Sequence, residues 1–489
     1  MPPPSKNTYD ELPYESGAIH ATDPVRLSLV SGVHGGPRPP VERFRVLELG
    51  CGNGGNLLPL AFYHRGAELL GVDSSEGALA SAREAAAELG LSNVRFERLD
   101  LASPGPLLGE RFHYVLVHGV LSWVADDVRA GILDVCAACP TADGLGYLSY
   151  NVREGWAVRT LVRELLVEAV GSVEPLRERV RRAKELAARL REALGETEHA
   201  QQVQLAWELD RVTGCADSYL FHEYLLEVNR PFHHREVVEM LRSRRLAWVC
   251  DSSFNEPAGR EPDGLREALD RLEARGERRE SLLDFLGCRT FRSSVFCREE
   301  SRSAGGERRL DPATFAAADL RPERGPPDLA TDAEETFVHA GGGALRASGA
   351  FLKAALGALA GAWPRYVRVD ELGARASAAA GRALDAEVTA ALHRDLLAMY
   401  DVGLADLRPV LPRGLGGEAR GRPHALARLE ARRGASLTTP LHTLVRLTDE
   451  ARTVVRMLAA GREADAVAAG RPVEEHRALL ARWGLLEEA

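Results

Sequence analysis

Long apolar runs are missing from this sequence of 489 residues. The longest Ala/Leu-rich stretch, Ala347 to Trp363, carries Lys353 and falls short of the roughly 20 apolar residues that a membrane span needs, so no transmembrane helix is expected. The opening MPPPSKNTYD has no apolar core of signal-peptide type, which marks nothing for export and leaves a cytoplasmic location as the expectation. Cysteine is sparse. Seven scattered cysteines exclude a disulfide scaffold, and Cys136 with Cys139 form a lone CxxC with no second pair or nearby His, a helix-packing pattern rather than a zinc or redox site; no metal site is read. An excess of positive charge is absent too: 62 Lys plus Arg against 71 Asp plus Glu give a net charge of -9, which argues against a chain held to nucleic acid by phosphate neutralisation.

What remains is ordinary for packed protein, 45% hydrophobic and 27% charged, in a chain long enough for two to four domains. From Phe44 to Tyr150 short aliphatic runs alternate with helical patterns, the signature of βαβ units on a parallel sheet. Strands are predicted at Arg45 to Leu49, Glu68 to Val72, Val94 to Arg98, Tyr114 to Val117 and Gly146 to Ser149, with Leu246 to Cys250 and Thr290 to Cys297 as late strands of the same sheet. Polar residues stand at the strand ends: Asp73, Asp100, His118, Tyr150 and Asn151.

The first strand runs into Gly50, Cys51, Gly52, Asn53, Gly54 and Gly55 and then into a helix. Glycine lets backbone N–H groups approach a ligand closely, because it lacks a Cβ and reaches positive φ without strain. Gly50, Gly52 and Gly55 satisfy GxGxxG, and Asp73 lies 23 residues beyond Gly50, so a nicotinamide dinucleotide site stays open on spacing alone. Three features favour S-adenosylmethionine. Glu48 precedes the first glycine by two residues, where it suits a ligand with an ammonium and a sulfonium and would repel a pyrophosphate. Asp100 offers an acceptor near an adenine amino group, and His118 to Val124 follow the fourth strand where a methyl acceptor would enter.

Beyond Trp156 the β pattern gives way to a helical one, with Leu176, Val180, Ala183, Ala187, Leu190 and Leu194 spaced as an a/d seam. It serves either an insertion packed on its own domain or a contact between two subunits. Residues 301–335 are rich in Arg, Asp, Pro and Ala without periodicity and read as a linker. The remainder is helical and Ala-rich, with β-like pieces at Tyr366 to Val369 and Leu404 to Val410 and with Asp370 placed as an N-cap. The run Arg408 to Arg433 holds seven Arg against Glu418 and Glu430, the pattern of a solvated basic face.

The stretch Val46-Leu47-Glu48-Leu49-Gly50-Cys51-Gly52-Asn53-Gly54-Gly55-Asn56 resembles the first motif of class I S-adenosylmethionine-dependent methyltransferases, and Gly71-Val72-Asp73 and Leu99-Asp100-Leu101 resemble the next two. More narrowly, Tyr9 to Ser16, His118 to Val124, Ser149-Tyr150-Asn151 and Asp284 to Phe291 are similar to bacterial methyltransferases with a methyltransferase regulatory domain, a group that includes outer-membrane-protein lysine methyltransferases. Lys353 to Leu356 and Trp363-Pro364-Arg365 resemble their last, winged-helix-like domain, and His222-Glu223 with Asn229-Arg230-Pro231 resemble a further motif of the group. The implied fold is α/β: a Rossmann-like class I methyltransferase sheet with a helical insertion, plus a mainly α winged-helix-like C-terminal domain. The expected division is 1–155 for the cofactor-binding core with its N-terminal arm, 156–230 for the insertion, 231–300 for the end of the methyltransferase and regulatory part, 301–335 for the linker and 336–489 for the C-terminal domain.

The resemblance implies that Gly50, Gly52, Asn53 and Gly54 line the methionine part of S-adenosylmethionine, that Asp73 binds ribose, that Asp100 and Leu101 face adenine, and that His118 lies beside the sulfonium. Each has a plainer reading: Asp73 as a helix cap, His118 and Trp123 as core residues, and the arm with Tyr9 and Tyr14 as surface packing rather than a lid. For an amine acceptor, Tyr14, Trp123 and Tyr150 are candidate aromatic walls, and Asn151 or His118 candidate hydrogen-bond acceptors. A Pro-Pro-aromatic motif is missing after the fourth strand, so adenine or glutamine methylation loses ground. A protein or peptide amine, lysine first, is the expected acceptor. A small molecule, and a non-catalytic cofactor-sensing regulator that binds nucleic acid, are the alternatives.

Overall fold

A computed structural model describes residues 16–252, 271, 276–303, 308–412, 414–417 and 420–487. Its centre is a seven-stranded sheet in the order β3-β2-β1-β4-β5-β7-β6. The strands are β1 Arg45–Leu49, β2 Glu68–Asp73, β3 Val94–Arg98, β4 Phe112–Val117, β5 Pro140–Asn151, β6 Leu246–Asp251 and β7 Phe291–Arg298. The first five pair in parallel, and β7 is antiparallel to both β5 and β6. Both late strands therefore join the sheet, as their sequence predicts. The chain leaves β1 to one side for β2 and returns on the other for β4, so the crevice beyond their carboxyl ends lies at a topological switch point.

Helices cover both faces because the strands are apolar on both sides. Helices α1 Pro24–Val33, α2 Leu57–Tyr63 and α3 Glu76–Glu88 pack on one face, and α4 Asp126–Ala138 and α8 His234–Arg242 on the other. Cys136 and Cys139 belong to this second core, where burial pushes both thiols up, Cys139 to about 11. Between α4 and α8 stand α5 Arg153–Val170, α6 Leu176–Leu194 and α7 Ala200–Gly214. Leu176, Val180, Ala183 and Ala187 of the seam are buried with Val162, Leu166, Leu209 and Val212 in a core of their own. The seam is thus used within the chain, as the insertion reading requires.

Past β7 come a helix-poor stretch and then α10 Ala350–Ala362, α11 Val369–Ala380, α12 Ala386–Asp401 and α13 Ala425–Arg433, after α9 Gly276–Gly287. The region expected as a linker contains β8 Phe315–Ala317 and β9 Leu320–Pro322. β8 joins β12 Val367–Arg368 and β13 Asp406–Arg408, while β9 joins β10 Glu335–His339 and β11 Ala344–Ala347. Strands of three residues leave no periodicity to read. Lys353 is fully buried in α10 and donates to the Thr331 carbonyl at 2.7 Å and the Ala333 carbonyl at 3.2 Å, which pins this stretch to the helix. The cap expectation also changes: α11 starts at Val369, so Asp370 sits in the first turn and pairs with Arg368 at 2.5 Å.

A hairpin of β14 Ser436–Thr438 and β15 Leu444–Arg446 follows α13. The basic run does not form one solvated face. Arg408 is buried in ion pairs with Asp23 and Asp406, each at 3.0 Å, Arg428 pairs with Glu487, and Arg432 pairs with Glu88.

Candidate active site

β1 delivers the chain to a loop in which Gly50, Gly52 and Gly54 hold φ of +75°, +52° and +76°, a region that suits glycine. Gly50 is needed for close approach as well: a Cβ there would lie 2.6 Å from Val120 Cγ2, which brings the segment after β4 against the glycine loop. A Cβ on Gly52 would meet no atom within 4 Å, so the loop has an open side. Asp73, at the end of β2, fixes it from behind. Its Oδ2 accepts the Gly52 N–H at 2.9 Å, and its Oδ1 accepts the Ser75 N–H at 2.9 Å. Ser75 caps α3 by accepting the Ala78 N–H at 3.1 Å, so Asp73 orders the loop rather than capping that helix itself.

Glu48 points inward beneath the loop and is 3% exposed. Its Oε1 accepts from Asn56 Nδ2 at 2.8 Å, while Oε2 is buried with no hydrogen-bond partner. Burial pushes this carboxyl up to about 8; the Asn56 hydrogen bond acts against that and the charge of Asp73 adds to it. Asn53 turns elsewhere: its Oδ1 accepts the Gly55 N–H at 3.2 Å and the Ser16 hydroxyl, which lays the N-terminal segment against the loop. Asp100 is exposed and accepts the Ala102 N–H at 2.9 Å, and Leu101 is buried in the second core.

His118 follows β4. Its Nδ1 lies 2.9 Å from the Tyr147 hydroxyl and 3.4 Å from Ser149 Oγ, and its ring stacks on Tyr147 at 5.9 Å between centroids. Tyr147 donates onward to Ser293 Oγ at 3.1 Å, and Ser149 Oγ accepts the Gly119 N–H at 2.8 Å. Nδ1 is thus the engaged ring nitrogen, and Nε2 has no hydrogen bond among those described. Burial holds His118 down at about 4, so the ring is neutral near pH 7.

Trp123 stands at the same rim, edge-on to Trp156 at 5.9 Å. Ser122 beside it accepts the Asn151 N–H at 3.0 Å, and Asn151 Nδ2 is buried without a partner. Tyr150 is not brought to His118. Side chains alternate along a strand, so Tyr147 and Ser149 share the His118 face while Tyr150 enters the opposite core, its hydroxyl 2.9 Å from His234 Nδ1. Tyr9 and Tyr14 lie outside the described residues.

Sequence reasoning missed Tyr147, Asn56, Thr22 and His442. Period-two counting back from Ser149 finds Tyr147, and Asn56 closes the first motif; Thr22 and His442 leave no local signal.

Residues 46–144 match a family model described as a methyltransferase domain, and residues 216–298 match one described as a predicted methyltransferase regulatory domain. One uncharacterized protein of Rickettsia prowazekii is 31% identical over 297 residues, 60% of this chain and 53% of that relative, so the match spans about half of the relative's length. A second from the same organism is 29% identical over 240 residues, 49% of this chain and 96% of that protein. Among solved structures, PKMT2 from Rickettsia typhi in complex with AdoHcy superposes with a TM-score of 0.80 at 21% identity, covering 97% of this chain and 99% of that one. The site residues fit S-adenosylmethionine: the unpaired Glu48 Oε2 suits an ammonium, Asp73 retains lone pairs for hydroxyl groups, and the open side of Gly52 leaves room for a ligand. The chain carries a methyltransferase domain over 46–144 and a methyltransferase regulatory domain over 216–298, and the residues of its site fit S-adenosylmethionine as cofactor.

Proposed function

We propose that the protein transfers a methyl group from S-adenosylmethionine to a side-chain amine of a protein or peptide, lysine first. The carrying observation is the His118 imidazole at the end of β4, its Nδ1 engaged by Tyr147 and its Nε2 with no hydrogen bond among those described; with the proton on Nδ1, Nε2 offers a lone pair to a donor. The cofactor supplies an activated methyl on sulfur, transferred by in-line displacement. Glu48 takes the ammonium of its amino-acid part, Gly50, Gly52 and Gly54 let the backbone approach that part, and Asp73 takes ribose hydroxyls while holding the loop. Asp100 and Leu101 form the adenine end.

A lysine amine, with a reference pKa of about 10.4, must be neutral to attack. An imidazole held down at about 4 is too weak a base to carry the proton away near pH 7. His118 instead accepts a hydrogen bond from an amine that is already neutral and aims its lone pair. Trp123 supplies an aromatic wall and Asn151 a second polar contact. The resemblance to outer-membrane-protein lysine methyltransferases supports a protein acceptor. Tritium transfer from labelled cofactor to lysate proteins, followed by mass spectrometry of the labelled residue, tests the reading. Label confined to small molecules, or labelling of protein undiminished by His118→Ala, overturns it.

A further inference from the structure

The carboxamide of Asn56 is saturated. Its Nδ2 donates to Glu48 Oε1 at 2.8 Å and to Thr22 Oγ1 at 3.0 Å, and its Oδ1 receives the Ile19 N–H at 3.0 Å. Two side chains also reach Oδ1: Thr22 Oγ1 at 3.1 Å and, from 386 residues away, His442 Nε2 at 2.7 Å, which donates in its Nε2–H form. These donors fix which end of the amide faces Glu48. If the group turned over, its NH2 would confront the Ile19 N–H, and His442 in its Nε2–H form would lose its acceptor.

His442 belongs to the tip of the β14–β15 hairpin and is 3% exposed. Its φ of +55° is unusual for a residue with a Cβ, and such strain persists only where the surroundings impose it. They do so here. The His442 N–H bonds to the Thr439 carbonyl at 2.9 Å, and the Leu441 carbonyl receives Arg408 Nη2 and His20 Nδ1, each at 3.0 Å. Arg408 is itself paired with Asp23, the cap of α1. The hairpin tip, the N-terminal segment and the first methyltransferase motif thus meet in one buried polar cluster.

We infer that His442 is a positioning residue for the cofactor site: through Asn56 it orients Glu48 toward the ligand's ammonium, so that seating of the C-terminal hairpin sets cofactor affinity. The inference rests on the cofactor reading above. Calorimetry with S-adenosylhomocysteine and with 5′-methylthioadenosine, which lacks the amino-acid part, tests it on the full chain. His442→Ala weakens S-adenosylhomocysteine binding at least tenfold and leaves 5′-methylthioadenosine unchanged. His442→Gln, whose amide can donate to Asn56, recovers most of the loss. His424→Ala serves as a comparison for lost stability, since His424 is buried against Tyr63 and has no bond to Asn56 or Glu48 among those described; it lowers the Tm and leaves both affinities intact. Equal weakening of both ligands by His442→Ala, or of neither, overturns the inference. Wild-type protein that binds no S-adenosylhomocysteine overturns the cofactor reading itself and this inference with it.

Discussion

The carboxylate of Asp73 holds the Gly52 N–H at 2.9 Å, so the residue expected to bind ribose also shapes the loop that faces the methionine part. One substitution therefore removes two functions. Asp73→Ala should weaken S-adenosylhomocysteine binding about 100-fold, from roughly two charge-assisted hydrogen bonds at about 1.5 kcal/mol each. Asp73→Asn, which keeps one oxygen, should fall between that variant and wild type. Calorimetric affinities check the order, and equal losses in the two variants would contradict the dual role.

Glu48 links pH to both stability and binding. Its carboxyl is raised to about 8 by burial, so the folded protein holds this proton more tightly than the unfolded chain. The contribution of that proton is present at low pH and is lost as pH climbs from the ordinary carboxyl range through 8. Glu48→Gln, neutral throughout, should raise the Tm of the ligand-free protein at pH 8 while weakening cofactor binding. A bound ammonium favours the ionised carboxyl, so binding at pH 7 should release about one proton per site in the wild type and markedly less in Glu48→Gln. Titration calorimetry in buffers of different ionisation enthalpy reads this directly.

For His118, the low value of about 4 sets the shape of the rate profile. The ring is neutral across the working range, so kcat/KM should rise with pH as the acceptor amine loses its proton, with no inflection near 6.5. His118→Ala should lower kcat about 100-fold, the scale on which a misaimed reacting group loses rate. Tyr147→Phe should cost less while removing the ordering of Nδ1. A break near pH 6.5 that vanishes in His118→Ala would show that the imidazole titrates as a base.

The motif Asp284 to Phe291 has a structural explanation beside the site. Arg292 is fully buried; its Nε meets Asp284 Oδ2 at 2.8 Å, its Nη2 meets Glu280 Oε2 at 2.8 Å, and its Nη1 meets Asp251. Burial raises Asp284 to about 6, whereas Arg292 and Arg289 outweigh burial at Asp251 and hold it low. Arg292→Met removes the shared partner of three carboxylates, leaving Asp251 and Asp284 to Arg289 alone among the described ion pairs, and should destabilise the protein by about 3–5 kcal/mol in urea unfolding. Asp284→Asn should cost less, because a hydrogen-bond acceptor remains.

The sequence made legible whatever chemistry is local. Glycine spacing, the polar residue at each strand end and the two late strands are set by residues within a few positions of one another, and β1 to β7 overlap the predicted spans, β5 starting earlier, at Pro140. The site was less legible where alternation or distance decides. Tyr150 is grouped with Asn151 in the sequence because they are neighbours, yet in an extended strand neighbours face opposite ways, and Tyr147 is the tyrosine beside His118. The linker reading failed because Phe315–Ala317 and Leu320–Pro322 gain strand character only from partners far along the chain. His442 could not be found at all, since nothing around Thr439 and Pro440 signals a contact with the first motif.

The sheet places the borders of the two matched domains in a particular light. The methyltransferase match ends at residue 144, inside β5, and the regulatory match supplies β6 and β7, of which β7 hydrogen-bonds onto β5 from Gly146 to Asn151 and β6 onto β7. Stretches matched as two domains therefore share a single sheet. Cutting the gene between them would leave Tyr147 and its neighbours on a naked strand edge, and the product to be anticipated from such a truncation is aggregate rather than a minimal enzyme.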